Sequence, residues 1–229
     1  MDKAGKLESE IGRKILLHES LAEHTLLKVP AIAEMYIEID AQDVLIKTVA
    51  AARNLGLPVY ILGSGARIVA EKNIKGLIIK NLCRHFDKVS VKGTIKKNAI
   101  GIENMQVYAQ AGVLMNQLVR FTIEEGLAGL EYQLGMPGTV GGAIFTNAKY
   151  KPKYLPVNKA LQSVTLLSEK GEVQTYNGDV PFFVFTDETW SESKDVILSA
   201  VFKLTPGDKK VLWERAEEAV HYRNSQKSQ

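Results

Sequence analysis

Gly135-Met136-Pro137-Gly138-Thr139-Val140-Gly141-Gly142-Ala143-Ile144-Phe145-Thr146-Asn147-Ala148 holds four glycines, one proline and no charge in fourteen residues. Glycine is costly inside helices and strands, so such a cluster marks backbone that must turn tightly or let something approach closely. The residues after Thr139 are small and apolar, as at a buried helix start whose free N–H groups face an anion. The stretch is expected to be a main-chain cradle for a phosphate-bearing cofactor.

Working outward, Ala111-Gly112 and a helical pattern through Leu114, Leu118, Val119, Thr122 and Ile123 come before the cradle, with Gly126 as the stop. Short strands are expected at Asp87–Val91, Ala99–Ile102 and Gln106–Gln110. After the cradle, Val164–Leu167 and Val173–Tyr176 flank a charged Gly turn and predict a hairpin. Val196–Leu204 is the last strand, and Asp208 caps a final helix to about Arg223, with Asn224–Gln229 frayed. Toward the N-terminus, Leu7, Ile11 and Ile15 predict a short amphipathic helix, followed by a polar link from His18 to His24. Glu34–Ile39 alternates as a strand, Asp40 caps a helix through Val44, Leu45, Val49 and Ala52, and Leu57–Leu62 is an apolar strand. It runs into Gly63-Ser64-Gly65-Ala66-Arg67, and Gly76–Lys80 is a further strand. The pattern is α+β in two lobes.

Composition sets bounds. The chain has 229 residues, 45% hydrophobic and 24% charged, as in an ordinary globular protein. A net charge of +3 argues against nucleic acid. The single cysteine, Cys83, forms no internal disulfide and suits a reducing cytoplasm. No apolar run approaches the roughly 18 residues of a membrane span, and Met1–Ser20 lacks the apolar core of a signal peptide. A soluble cytoplasmic protein is expected. Gly63-Ser64-Gly65 is neither a dinucleotide fingerprint nor a Walker loop, since the third glycine and any Gly-Lys-Ser/Thr are missing. The four histidines show no metal spacing. Glu131 is expected at the surface, Tyr132 and Tyr150 in packing, and Lys149, Lys151 and Lys153 on a solvated loop.

The cradle with Asn147-Ala148 resembles the signature of the UDP-N-acetylenolpyruvoylglucosamine reductases, the MurB or UDP-N-acetylmuramate dehydrogenase family. Leu21–Thr25, Val59–Gly65, Gly126–Glu131, Val196–Leu204 and Arg223–Gln226 fall in register with it, so the likeness covers about residues 7–228. The resemblance implies a two-lobed FAD-binding fold of the PCMH, or vanillyl-alcohol-oxidase, type. It implies lead-in 1–24, flavin lobes 25–85 and 86–205, and a helix with truncated linker at 206–229. It implies FAD contacts from Tyr60, Gly63, Ser64, Gly65, Ala66, Arg67, Gly112, Gly135, Met136, Pro137, Gly138, Thr139, Gly141, Gly142, Ala143, Asn147 and Ile197. NADPH is the implied electron donor, a UDP-sugar or a completing partner chain the other partner, and peptidoglycan precursor synthesis the setting.

Departures from the family matter as much. Its Tyr-Arg pair falls at Phe185-Thr186, its Ser-Asn after the first loop at Ala66-Arg67, and its Gly-Ala-Tyr-Gly at Lys149–Pro152. Its serine acid and glutamate lie in a third domain, which would begin where this chain ends. No catalytic residue is assigned. The expected protein binds FAD and is not a competent reductase on its own; the alternative is a silent flavin-binding or scaffolding protein.

Overall fold

The computed structural model describes residues 2–66, 73–96, 99–178 and 194–227. The described residues of Met1–Cys83, Leu166–Gln174 and Thr186–Leu198 form one compact unit, and those of Arg84–Thr165, Thr175–Phe185 and Ser199–Gln229 a second.

The first unit opens with α1, Lys3–Ile11, whose N-terminus is capped by Asp2 Oδ1 accepting from Gly5 N at 2.8 Å. Gly12 at φ 69° closes it in a left-handed cap, so Ile15, expected on the helix, lies beyond it yet is buried. Strand β1, Leu16–Ser20, occupies part of the expected polar link. It pairs antiparallel with β2, Ile32–Ile39, at the edge of a four-stranded sheet. Its hydrophobic pattern is silent because Leu16 and Leu17 are exposed and the strand is held through its backbone.

Helix α2, Gln42–Asn54, starts from Ala41 with no side-chain cap, so Asp40 does not do the capping expected of it; it pairs with Arg13 instead, at 3.3 Å. The helix buries Leu45, Val49 and Ala52 on one stripe. Burying a large aliphatic side chain contributes about 1.5–3 kcal/mol, so this stripe outweighs the weak start. Strands β3, Val59–Leu62, and β4, Asn73–Asn81, pair in parallel, and β4 is also parallel to β2. Leu77, Ile78 and Ile79 of β4 are fully buried in succession, as in a central strand covered on both faces. One face carries Met35, Ile37 and Ile39 against α2, joined by Leu167, Val196 and Leu198; the other carries Tyr36, Leu62 and Ile78 against Leu21 and Val29.

The second unit is built on a hairpin of β5, Phe86–Lys96, and β6, Ala99–Gln110, with register shifts at Lys88/Ser90 and Lys92/Gly93. The strands expected at Ala99–Ile102 and Gln106–Gln110 are one strand, because the residues between them stay in the ladder with β5, Asn104 opposite Lys92 and Met105 opposite Val91. Helix α3, Met115–Glu124, buries Met115, Leu118, Val119, Thr122 and Ile123. Next come β7, Leu127–Ala128, and α4, Val140–Phe145. A ribbon of β8, Lys149–Tyr150, and β9, Leu155–Pro156, flanks a 3-10 turn at Lys151–Lys153.

Strands β10, Leu161–Leu167, and β11, Val173–Asn177, are neighbours in the expected hairpin, and β12, Val196–Pro206, joins the sheet in the order β11-β10-β12-β6-β5. Helix α5, Lys209–Lys227, begins at Asp208, whose Oδ1 accepts from Val211 N at 3.0 Å. It continues through Asn224–Gln226, beyond the expected frayed point. No described helix is long and apolar enough to cross a membrane.

Candidate functional site: two glycine loops

In the first unit β3 delivers the chain into Gly63–Ala66. Gly65 stands at φ 66°, and a Cβ there would lie 2.5 Å from Thr25 Cβ, so both conformation and space require glycine. Thr25 is itself pinned: its Oγ1 donates to Leu21 O at 2.8 Å and accepts from Val29 N at 2.9 Å. Leu26 N donates to Ser64 O at 3.0 Å, which fastens the same segment to the loop. The N–H groups of Ser64, Gly65 and Ala66 find no acceptor among the described residues. Tyr60 is half-buried on β3, and Ile197 is buried on β12 between Val196 and Leu198, the two residues that join the core. Arg67 lies outside the described residues.

In the second unit the cradle is held from several sides. Gly135 N donates to Asn116 Oδ1 at 2.7 Å, and Arg223 donates to Leu134 O at 2.9 Å. Met115 N donates to Gly138 O at 3.0 Å and Val140 N to Val113 O at 2.8 Å, which lays the cradle along the segment containing Gly112. Gly141 N donates to Ala111 O at 2.8 Å, and a Cβ on Gly141 would meet Ala111 Cβ at 2.9 Å. Gly142 N donates to Thr139 Oγ1 at 3.3 Å and Ala143 N to Thr139 O at 2.8 Å.

This corrects the expectation of free N–H groups at the helix start. The first turn of α4 spends all four internally, on Val113, Ala111 and Thr139. The unspent donors sit one step earlier: the N–H groups of Gly138 and Thr139 have no acceptor among the described residues. Gly138 stands at φ 145° with nothing within 4 Å of a would-be Cβ, so conformation rather than crowding demands glycine. Met136 is half-buried, and Met136 N donates to Gln133 O at 3.2 Å; Pro137 is exposed.

Two buried side-chain acceptors of the second unit are also left over among the described residues. Asn147, at φ 41°, ends α4 with a buried Oδ1 that has no partner, and Gln133 has a buried Oε1 in the same state. An unpaired buried polar atom costs about 1–3 kcal/mol. The unspent donors at Gly138 and Thr139 precede α4 and the unspent amide oxygen of Asn147 follows it, so a ligand's acceptors are served at one end of the helix and a donor at the other. The Ser64–Ala66 donors of the first unit suit an anion or carbonyl. Each loop, taken by itself, offers main-chain donors of the kind that phosphate and carbonyl oxygens accept.

Several supports were not legible beforehand. Glu131, expected at the surface, is buried; its carboxylate accepts from Gly129 N at 2.6 Å and pairs with Arg215 at 3.1 Å. Tyr132 stacks on Tyr150 with ring centroids 5.1 Å apart. Tyr150, fully buried, donates to Glu218 at 3.0 Å; burial first, then the Glu218 bond, raises its hydroxyl above the usual range. Lys153 is exposed, as expected of this loop, and is tied to Glu218 at 2.9 Å and to Tyr132 Oη at 2.5 Å. These bonds, that of Lys153 first, hold the Glu218 carboxyl below its ordinary value. Arg223 packs over Tyr150, and desolvation lowers its pKa. Among the described residues no three His, Cys, Asp or Glu gather as a metal site.

Residues 33–177 match the family model for an FAD binding domain. The chain is therefore a flavin-domain protein. It is also 31% identical over 223 residues to UDP-N-acetylenolpyruvoylglucosamine reductase of Carboxydothermus hydrogenoformans, covering 95% of this chain and 69% of that one. The corresponding figures for the Exiguobacterium sibiricum reductase are 28% identity, 97% and 68%. This chain belongs to the UDP-N-acetylenolpyruvoylglucosamine reductase family, and it spans about two thirds of the length of these relatives.

Among solved structures, the MurB reductase from Thermus caldophilus superposes with a TM-score of 0.64 at 22% identity, covering 92% of this chain and 69% of that one. A solvent-stable cholesterol oxidase superposes with a TM-score of 0.55 at 15% identity, covering 84% and 38%. At such identities the likeness speaks for the fold, which is the α+β FAD-binding PCMH type that the sequence resemblance implies.

Proposed function

We propose that this chain binds FAD through its two glycine loops and accepts hydride from NADPH, as the flavin-binding part of a UDP-N-acetylenolpyruvoylglucosamine reductase system. The observation that carries this reading is the run of main-chain N–H groups left without an acceptor among the described residues, at Ser64, Gly65 and Ala66 in one loop and at Gly138 and Thr139 in the other. Ser64, Gly65 and Ala66 supply main-chain donors to phosphate oxygens, and the small side chains of the loop let the backbone approach. Gly138 and Thr139 offer two further main-chain donors to the flavin nucleotide. Thr139 Oγ1 is already committed to Gly142 N and serves to hold the cradle's shape. Bound FAD supplies the hydride relay between a nicotinamide and an electrophilic carbon.

Reduction of the enolpyruvyl ether asks for more. Adding hydride there leaves negative charge that wants a cation and then a proton. At the register where the family carries Tyr-Arg, this chain carries Phe185-Thr186, which offer neither phenol nor guanidinium. Those two residues lie outside the described ones. They favour the reading in which the chain takes up and reduces flavin but needs groups from elsewhere to turn over the UDP-sugar.

The test is spectroscopic. The purified chain, reconstituted with FAD, is expected to be yellow, to bleach with NADPH, and to stay bleached without oxygen when UDP-N-acetylglucosamine-enolpyruvate is added. A chain that takes up no FAD refutes the reading. Reoxidation by the UDP-sugar refutes the assignment of the second step to groups from elsewhere.

A further inference from the structure

Two cations on the α5 side of the second unit are matched by carboxylates. Arg215 meets Glu131 at 3.1 Å, and Lys153 of the 3-10 turn meets Glu218 at 2.9 Å. Arg223, further along α5, is matched by none: no Asp or Glu among the described residues lies within ion-pair reach of it. Its side chain is half-buried, and desolvation draws its pKa down, offset by Tyr150 and Tyr222 and by no carboxylate.

The guanidinium is fixed all the same. Nη1 donates to Leu134 O at 2.9 Å and to Ala219 O at 3.3 Å, and Cζ stands 5.5 Å from the centroid of the Tyr150 ring. Those bonds use both hydrogens of one nitrogen. The hydrogens of Nε and Nη2 meet no acceptor among the described residues. These two nitrogens form one edge of the guanidinium, the edge that holds two oxygens of a phosphate or carboxylate in parallel bonds. The second loop runs alongside: a Cβ on Gly135 would stand 3.7 Å from Arg223 Cδ, and the N–H groups of Gly138 and Thr139 are unspent too.

We propose that Arg223 is an anion-binding residue of the second loop, its Nε–Nη2 edge taking two oxygens of a phosphate or carboxylate carried by the flavin nucleotide or by the nucleotide sugar. This role rests on the FAD reading above. A side chain needed only to hold the Leu134 carbonyl would spend one N–H, and a lysine ammonium could supply it. Arginine brings five donors in a rigid plane, and a partly desolvated charge is costly until a counter-charge meets it.

The experiment uses the full chain as wild type, R223K and R223M. FAD and riboflavin, which lacks phosphate, are titrated by flavin fluorescence, and UDP-N-acetylglucosamine-enolpyruvate is titrated into the FAD-loaded chain by flavin absorbance. R223M is expected to raise the dissociation constant of one phosphate-bearing ligand about tenfold or more, the lower end for a hydrogen bond to a charged group. A rise for FAD, with riboflavin within about twofold of wild type, assigns the anion to the flavin nucleotide. A rise for the UDP-sugar with FAD unchanged assigns it to the substrate. R223K keeps the charge without the fork and should fall between. R223M within about twofold of wild type for both FAD and the UDP-sugar, or an equal loss for FAD and riboflavin, overturns the inference and leaves FAD binding standing. Where R223M does not fold or riboflavin is not held, the wild type is titrated with inorganic pyrophosphate while the Arg223 Nε–H resonance is followed. A saturating shift supports the inference, and an unmoved resonance overturns it. Failure of the wild type to take up FAD refutes the flavin reading, and the same pyrophosphate titration then decides on Arg223.

Discussion

Gly141 is the position where the cradle's geometry can be tested with least ambiguity. It lies inside α4, and a Cβ there would stand 2.9 Å from Ala111 Cβ, 3.1 Å from Ala111 O and 3.5 Å from Ala111 Cα. Real Cβ contacts essentially never fall below 3.0 Å, so Gly141→Ala must push the Ala111–Val113 segment away. That movement strains two bonds at once, Gly141 N to Ala111 O and Val140 N to Val113 O, both 2.8 Å. Overpacking of this kind costs about 1–3 kcal/mol, and a weakened buried hydrogen bond adds about 1 kcal/mol. A loss of about 2–4 kcal/mol is expected, offset by no more than about 1 kcal/mol from the better helix propensity of alanine.

Ala111→Gly removes the 2.9 Å contact and leaves the carbonyl at 3.1 Å, so it should recover part of the loss. Urea unfolding of the wild type, both single variants and the double variant closes a cycle, with an expected coupling of at least about 1 kcal/mol in favour of the double variant. FAD uptake should follow the same order. A Gly141→Ala variant within about 0.5 kcal/mol of wild type, or a double variant whose losses simply add, would refute the packing argument.

Further outcomes follow from other contacts. Gly65→Ala places a methyl into Thr25 at φ 66°, and both terms oppose it; FAD retention on a desalting column should fall sharply, whereas Ala66→Ser should retain flavin. Asn116→Ala orphans Gly135 N and is expected to cost about 1–2 kcal/mol in urea unfolding, with Asn116→Asp closer to wild type. Cys83 is buried and its thiol is pushed up to about 11, mainly by burial, so a thiol reagent at about pH 8 should label it only after denaturation. Glu218 has its carboxyl held down in the fold, chiefly by Lys153, so its contribution is present above the carboxylate's ordinary value and is lost as acid protonates it. Between about pH 6 and 3 the wild type should therefore lose thermal stability more steeply than Glu218→Gln.

The sheets, the helices and the cradle were legible because they rest on local signals: the stripe of α2, the apolar run of β4, the Gly turn of the β10–β11 hairpin, the cluster at 135–142. What escaped rests on contacts distant in sequence. Strand β1 has exposed leucines and a positive-φ His18, so neither alternation nor propensity announces it; only pairing with β2 makes it a strand. Glu131 looks like any surface acid until Arg215, 84 residues later, neutralises it. The spent donors of α4 were likewise invisible, because the sequence does not say that Ala111 O and Val113 O lie alongside Gly141 and Val140. The family resemblance located the loops but could not tell which of their N–H groups remain unspent.

Arg223 has one more consequence, in the order of events on the ribosome. It grips Leu134 O from 89 residues downstream, on the last helix of the second unit. At about 5–20 residues per second, that interval is roughly 5 to 20 seconds of synthesis. During it the cradle exists as chain but lacks one of its fastenings. Until α5 has been translated the Leu134 carbonyl lacks this donor, so the second loop is expected to reach its final shape only after that point.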